Sequence, residues 1–159
     1  VGNPYFSVKF TGLGIDIGKH SIGHGGSFKD MSPGQLKVKI HKFHFQLMAD
    51  LMKKLEAVPE GDGTMLDNTV IVYLSDAAEA HHSRCGQWPF VLIPGKNTGL
   101  QGGRYLDFPH YMQDGHREIG NLYTTLLHAA GEKREYFGVR DAMLKGAARG
   151  DGPLEALLS

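Results

Sequence analysis

The sequence has little of several features that often reveal a function. Cys85 is its one cysteine, so no disulfide bond can form within the chain. Lys and Arg number 17, as do Asp and Glu, so no basic excess indicates binding to nucleic acid or to an anionic membrane. No apolar run reaches the roughly 18 residues that cross a membrane. We therefore expect neither a nucleic-acid partner nor a membrane span.

The length and composition are those of one globular domain. The chain has 159 residues, of which 41% are apolar and 21% are charged. It opens on "VGNPYFSVKF", a strand-like stretch without an initiator Met or a recognisable signal peptide, so we expect residues 1–159 to be a single domain within a longer protein. The glycine-rich end of the chain, residues 145–159, is predicted to be loosely held.

The order of the predicted elements indicates an α/β fold. Ser32 and Pro33 suit the start of a helix over residues 32–58, in which apolar residues recur every three or four positions. Strands are predicted at residues 5–11, 68–75 and 89–95. Residues 12–30 are predicted to form a glycine-rich loop, and residues 116–131 a second helix. Residues 68–75 form a continuous apolar run typical of a strand buried on both faces. We therefore expect a mainly parallel sheet flanked by helices.

Two segments that follow predicted strands carry residues that often bind metals. Asp16 and His20 stand four residues apart, and His24 follows in the same loop. Asp76 ends the run at 68–75, and two adjacent histidines, His81 and His82, come soon after it. Carboxylates and neutral imidazoles suit Zn, Mn or Fe, and an acid-rich set also suits Ca. These six residues are therefore the candidate ligands of one divalent metal ion, although each could equally be an ordinary loop residue.

Other polar or aromatic residues carry weaker signals. Trp88 and Arg104 are candidates for lining a pocket, and His116 is a candidate outer partner of the site. The stretch "GLQGGR" lacks the Lys and Ser or Thr of a phosphate-binding loop, so it predicts a turn and no nucleotide cofactor. His41 and His44, on the long helix, are interpreted as surface residues.

Two longer stretches resemble a known family. They are "TMLDNTVIVYLSDAAEAHHSRCGQWPFVLIPGKNTGLQGGRYLDF" and "NLYTTLLHAAGEKREYFG", which together span residues 64–138. The pattern resembles the C-terminal part of a family of exported bacterial proteins of unknown function, which are similar to the alkaline phosphatase and sulfatase superfamily. The resemblance implies a periplasmic or extracellular location and a fold like the C-terminal half of an alkaline phosphatase.

The resemblance also implies a metal-dependent hydrolase acting on small phosphate or sulfate esters. Asp16 and His20 match the first metal-binding element of that superfamily, Asp76 matches the acid of a later pair, and His81 or His82 matches a further histidine. Ala77 stands where the pair requires its histidine, and no nucleophile matches. The alternative is a catalytically inactive α/β domain with a binding or assembly role, for instance as a homo-oligomer.

Overall fold

The computed structural model describes residues 8–75 and 86–159. In chain order, the strands are β1 (Lys9–Phe10), β2 (Ile15–Gly18), β3 (Pro59–Glu60), β4 (Gly63–Thr64), β5 (Val70–Leu74) and β6 (Phe90–Pro94). The α-helices are α1 (Lys19–Gly23), α2 (Pro33–Glu56) and α3 (Ile119–Ala129). Short 3-10 helices cover Thr11–Leu13, Met65–Asn68, Gly146–Ala148 and Glu155–Leu157. No helix within the described ranges is long and apolar enough to cross a membrane.

The predicted parallel sheet is wrong. The described strands form three two-stranded antiparallel sheets, β1–β2, β3–β4 and β5–β6. A continuous apolar run indicates that both faces of a strand are buried, but it does not indicate whether neighbouring strands are parallel or antiparallel. The prediction failed for this reason. On one face of β5, Val72 packs towards the cluster around Leu122 in α3, while on the other face Tyr73 contacts side chains of α2.

The long helix begins as the sequence predicts. Ser32 is the N-cap: its hydroxyl accepts a hydrogen bond from the Gln35 backbone N–H, and the Gln35 side chain accepts one from the Ser32 N–H. This reciprocal pair satisfies two backbone donors that the helix cannot satisfy internally. Only the first part of the apolar stripe is buried, at Leu36 and Ile40. Further along the stripe, Leu47 and Leu51 are exposed.

Two hydrophobic clusters hold the described residues together. The first joins β2, α1 and α2 through Ile15, Ile22, Leu36 and Ile40. The second joins α3 to the C-terminal segment through Leu122, Leu154 and Leu157, with side chains of β5 and β6 packed against it. The α3 helix lies within the predicted range of residues 116–131.

The C-terminal segment, predicted to be loosely held, takes part in the second cluster. Leu154 and Leu157 are buried, and the backbone N–H of Leu154 donates a hydrogen bond to the Thr125 hydroxyl in α3. A bridge between Leu100 and Leu158 ties the end of the chain to the segment after β6. That segment forms no other strand pairing among the described residues.

Candidate functional site

The predicted metal ligands fall into two groups. Asp16, His20 and His24 lie in β2, in α1 and just after α1, respectively. The other three, Asp76, His81 and His82, lie outside the described residues. In the described ranges, no three His, Cys, Asp or Glu side chains are grouped so that they could hold a metal ion. The described residues alone therefore do not form the predicted metal site.

Asp16 and the two loop histidines have separate surroundings. The Asp16 carboxylate is exposed and accepts a hydrogen bond from the Lys9 ammonium group, with 2.9 Å between Nζ and Oδ1. The rings of His20 and His24 meet edge to face, with 4.7 Å between their centroids. The sequence spacing thus brings His20 and His24 together, while Asp16 forms an ion pair across the β1–β2 sheet.

The end of β5 and the start of α1 approach the same turn of α2. Tyr73, in β5, lies three residues before Asp76, and its hydroxyl oxygen is 3.0 Å from Nδ1 of His44. Burial and then the nearby charge of Lys19, the residue before His20, hold the pKa of His44 below its ordinary value of 6.5. The Tyr73 hydroxyl therefore contacts His44, and the charge of Lys19 reaches it.

A large cleft lies beside the ends of β5 and β6. It has a volume of about 850 Å³ and is bounded by the residues before and within β6, the segment after β6, the N-terminal side of α3 and the C-terminal segment. Trp88 in its wall donates a hydrogen bond from Nε1 to the carbonyl oxygen of Ser75, at 2.8 Å. Ser75 immediately precedes Asp76, and Gly86, where the described chain resumes, also lines the cleft. Ser75, the last described residue before this gap, therefore contacts the wall of the cleft, and Gly86, the first one after it, is part of the lining.

Nitrogen-bearing side chains predominate among the ionisable residues of the cleft. They are Arg104, His110, His116 and Arg117. Of the two acidic residues in the lining, Glu118 is engaged elsewhere: its Oε1 accepts a hydrogen bond from the Asp141 backbone N–H. Its charge and its hydrogen bond with Tyr136 add to burial in raising the pKa of Tyr136 to about 12. The lining of the cleft thus combines two arginines and two histidines with two carboxylates, those of Asp107 and Glu118.

Local hydrogen bonds position these cationic side chains. Arg104 donates from Nη1 to the Ala156 carbonyl oxygen at 2.8 Å, which places it over the C-terminal segment. Nδ1 of His116 lies 2.9 Å from the Pro109 carbonyl oxygen, and Nδ1 of His110 lies 3.3 Å from the Gln87 side-chain nitrogen. The Nη2 of Arg104 also donates to the Gln101 side-chain oxygen, so both terminal nitrogens of this guanidinium group have partners, whereas the contacts of the two histidines involve Nδ1.

The sequence indicated part of this cleft and missed another cluster. Trp88, Arg104 and His116 all line the cleft, of which the sequence favoured Arg104 as a pocket residue. His41 is exposed, as predicted, and His44 is half-buried; the ring nitrogens of both lie within hydrogen-bonding distance of the Tyr73 hydroxyl oxygen. Their spacing of three, which places two residues on one face of a helix, was the available signal.

Comparison with protein-family models, with curated proteins and with solved structures finds no match for this chain.

Proposed function

We propose that this chain is the C-terminal part of an exported, metal-dependent hydrolase, and that its cleft binds the phosphate or sulfate group of a small ester. The main observation behind this proposal is that one cleft, beside the ends of β5 and β6, is lined by Arg104, His110, His116 and Arg117. Guanidinium groups pair with the oxygens of phosphate or sulfate through two parallel hydrogen bonds, and protonated histidines add positive charge. The sequence resemblance to the alkaline phosphatase and sulfatase superfamily supports the same class of ligand.

Aromatic and apolar side chains make the other part of the cleft suitable for an organic group. Trp88, Phe90 and Phe108 line it together with the cationic residues. Ligand sites commonly combine such an apolar lining with a few charged groups that set the orientation. In this proposal, Arg104 and Arg117 bind the anionic group, and the aromatic side chains contact the alcohol portion of the ester.

Binding can be measured directly because Trp88 is the one tryptophan of the chain. We expect its fluorescence to change when a small alkyl phosphate or alkyl sulfate is titrated into the protein, and not with the parent alcohol. The change should be lost in Arg104→Gln. Arg134→Gln is the matched control, since Arg134 is an exposed arginine that pairs with Glu132. An unchanged signal with both esters, or equal responses from the two variants, would contradict the proposal.

The metal-binding part of the proposal has a separate test. Protein purified without a His tag and dialysed should contain about one equivalent of Zn, Mn, Fe or Ca in elemental analysis, and less in the Asp76→Ala/His20→Ala double variant. His128→Ala is the control, because the His128 ring lies beside the Arg134 carbonyl oxygen at the end of α3. We expect little or no turnover of aryl phosphates and aryl sulfates by these 159 residues alone. Turnover above the buffer blank that a chelator abolishes would show that expectation wrong.

The second candidate is a non-catalytic binding domain. Ala77 follows Asp76 in place of the histidine that the resembling enzymes carry there, which favours loss of the chemistry. Ester binding at Trp88 without a stoichiometric metal would support this second candidate over the hydrolase.

A further inference from the structure

A pair of histidines on α2 converges with a tyrosine on β5, away from the cationic residues of the cleft. His41 and His44 lie three residues apart and therefore on the same face of the helix. Nδ1 of His41 is 2.6 Å from the Tyr73 hydroxyl oxygen, and Nδ1 of His44 is 3.0 Å from the same oxygen. Two imidazole nitrogens, which commonly bind metals, thus lie within 3.0 Å of one phenolic oxygen.

The protons of this cluster are constrained. The Tyr73 hydroxyl has one hydrogen, so it donates to one imidazole and accepts a hydrogen bond from the other. Burial raises the pKa of Tyr73. Burial, and then the charges of Lys19 and His41, lower the pKa of His44.

Surrounding aromatic rings restrict how the three side chains can turn. The ring of Phe10 lies 5.7 Å from that of His44, and the ring of Phe45 lies 5.4 Å from that of Tyr73. The rings of His41 and His44 themselves stand nearly perpendicular, with 6.4 Å between their centroids. These ring contacts lie on the His44 and Tyr73 side of the cluster, while His41 is exposed.

We propose that His41, His44 and Tyr73 form a binding site for Cu²⁺. With bonds of about 2.05 Å, two ligand atoms in neighbouring positions of a square-planar ion are about 2.9 Å apart, and about 3.3 Å apart around a tetrahedral ion. The observed separations of 2.6 and 3.0 Å are both closer to the square-planar value than to the tetrahedral one. Square-planar nitrogen and oxygen sites favour Cu²⁺ or Ni²⁺, and Cu²⁺ binds more tightly in the general order of divalent ions.

Binding exchanges protons for the metal without any oxidation or reduction. The Tyr73 hydroxyl releases its proton to solvent, and the neutral histidine that carries its hydrogen on Nδ1 changes tautomer, so that this hydrogen is on Nε2 and Nδ1 can bind the ion. The phenolate that results offsets one of the two positive charges of the ion. Lys19 is the nearby cation that opposes binding, so removal of its charge should strengthen the site.

In the test, Cu²⁺ is titrated into the whole chain with no other metal present. A phenolate bound to Cu²⁺ gives a charge-transfer absorption band in the visible region, which copper held only by histidines does not give. We expect this band at about one equivalent of Cu²⁺, its loss in Tyr73→Phe and in His44→Gln, and saturation at lower copper concentration in Lys19→Gln. Circular dichroism of each variant verifies that the helices remain.

The control is Tyr111→Phe. Tyr111 is a partly exposed tyrosine whose hydroxyl donates to Asp141 at 2.6 Å, near His116 but on a different part of the chain. The band should persist in this variant. Copper binding with no phenolate band, or a band that survives Tyr73→Phe, would overturn the proposal by showing adventitious binding to other histidines. The ester titration at Trp88 is read independently, so either proposal can fail alone.

Discussion

The side-chain amide of Asn121, in α3, donates a hydrogen bond of 2.9 Å to the carbonyl oxygen of Gly150. The same nitrogen donates to the Gly152 carbonyl oxygen at 2.8 Å, and the side-chain oxygen accepts from the Glu118 backbone N–H at 2.7 Å. Asn121 is fully buried. The Asn121 side chain therefore both caps α3 and holds the C-terminal segment against this helix. The C-terminal segment in turn forms one wall of the cleft.

Loss of the Asn121 amide should destabilise the protein strongly. Asn121→Ala leaves two carbonyl oxygens and one N–H without their partner in the interior, at a cost of about 3 kcal/mol. Urea unfolding followed by circular dichroism measures the difference. Asn97→Ala is the control, because the Asn97 side chain is exposed and donates a hydrogen bond to the Asn68 side chain. We expect this variant to lose less than about 1 kcal/mol of unfolding free energy. Equal effects would show that the amide does not hold the segment.

The C-terminal segment should contribute to stability through its buried leucines. Leu154→Ala removes a side chain that is 4% exposed and packs with Leu122, so the free energy of unfolding should fall by about 2–4 kcal/mol. Met143→Ala, at a side chain that is 65% exposed, should change it by no more than about 0.5 kcal/mol. If Leu154→Ala were as mild as the control, the segment would be loosely held after all.

Gly95, directly after β6, should tolerate no side chain. A β-carbon there would meet the carbonyl oxygens of Leu66 and Asp67, which belong to the turn before β5. Gly95→Ala must push those backbones apart, at a cost of about 2 kcal/mol. In Gly34→Ala, a β-carbon in the first turn of α2 would meet only the Ser32 hydroxyl, at 3.9 Å, and should stabilise by about 0.5 kcal/mol. Thermal unfolding of both variants separates the two cases, and a neutral Gly95→Ala would contradict the close approach.

His44 should make the thermal stability of the protein depend on pH. The pKa of His44 is lower in the folded protein than its ordinary value of 6.5, so the unfolded chain binds a proton more readily. The contribution of His44 is therefore fully present above pH 6.5 and is lost as the pH falls through the lower folded value. Between pH 7.5 and pH 5, the melting temperature should fall more in the native protein than in His44→Gln. Parallel curves for the two proteins would show that another group carries the dependence.

Several local features could be read from the residues alone. Ser32, Pro33 and the recurring apolar positions predict the start and the length of α2, because caps and helical periodicity depend on residues close in sequence. The apolar runs at β5 and β6 predict strands for the same reason. Trp88 and Arg104 could be named as pocket residues, although nothing in their local sequence indicated His110 or Arg117 as companions.

The sequence by itself determined where the main helices and strands lie and which side chains are available for chemistry. Only the tertiary structure decided that β5 and β6 pair antiparallel, that Asp16 faces Lys9, and that His41 and His44 meet Tyr73. These outcomes depend on contacts between residues as far as 32 positions apart. Hydrophobic burial drives such contacts without regard to direction, so a pattern along the chain reports that a face is covered and does not identify the covering element.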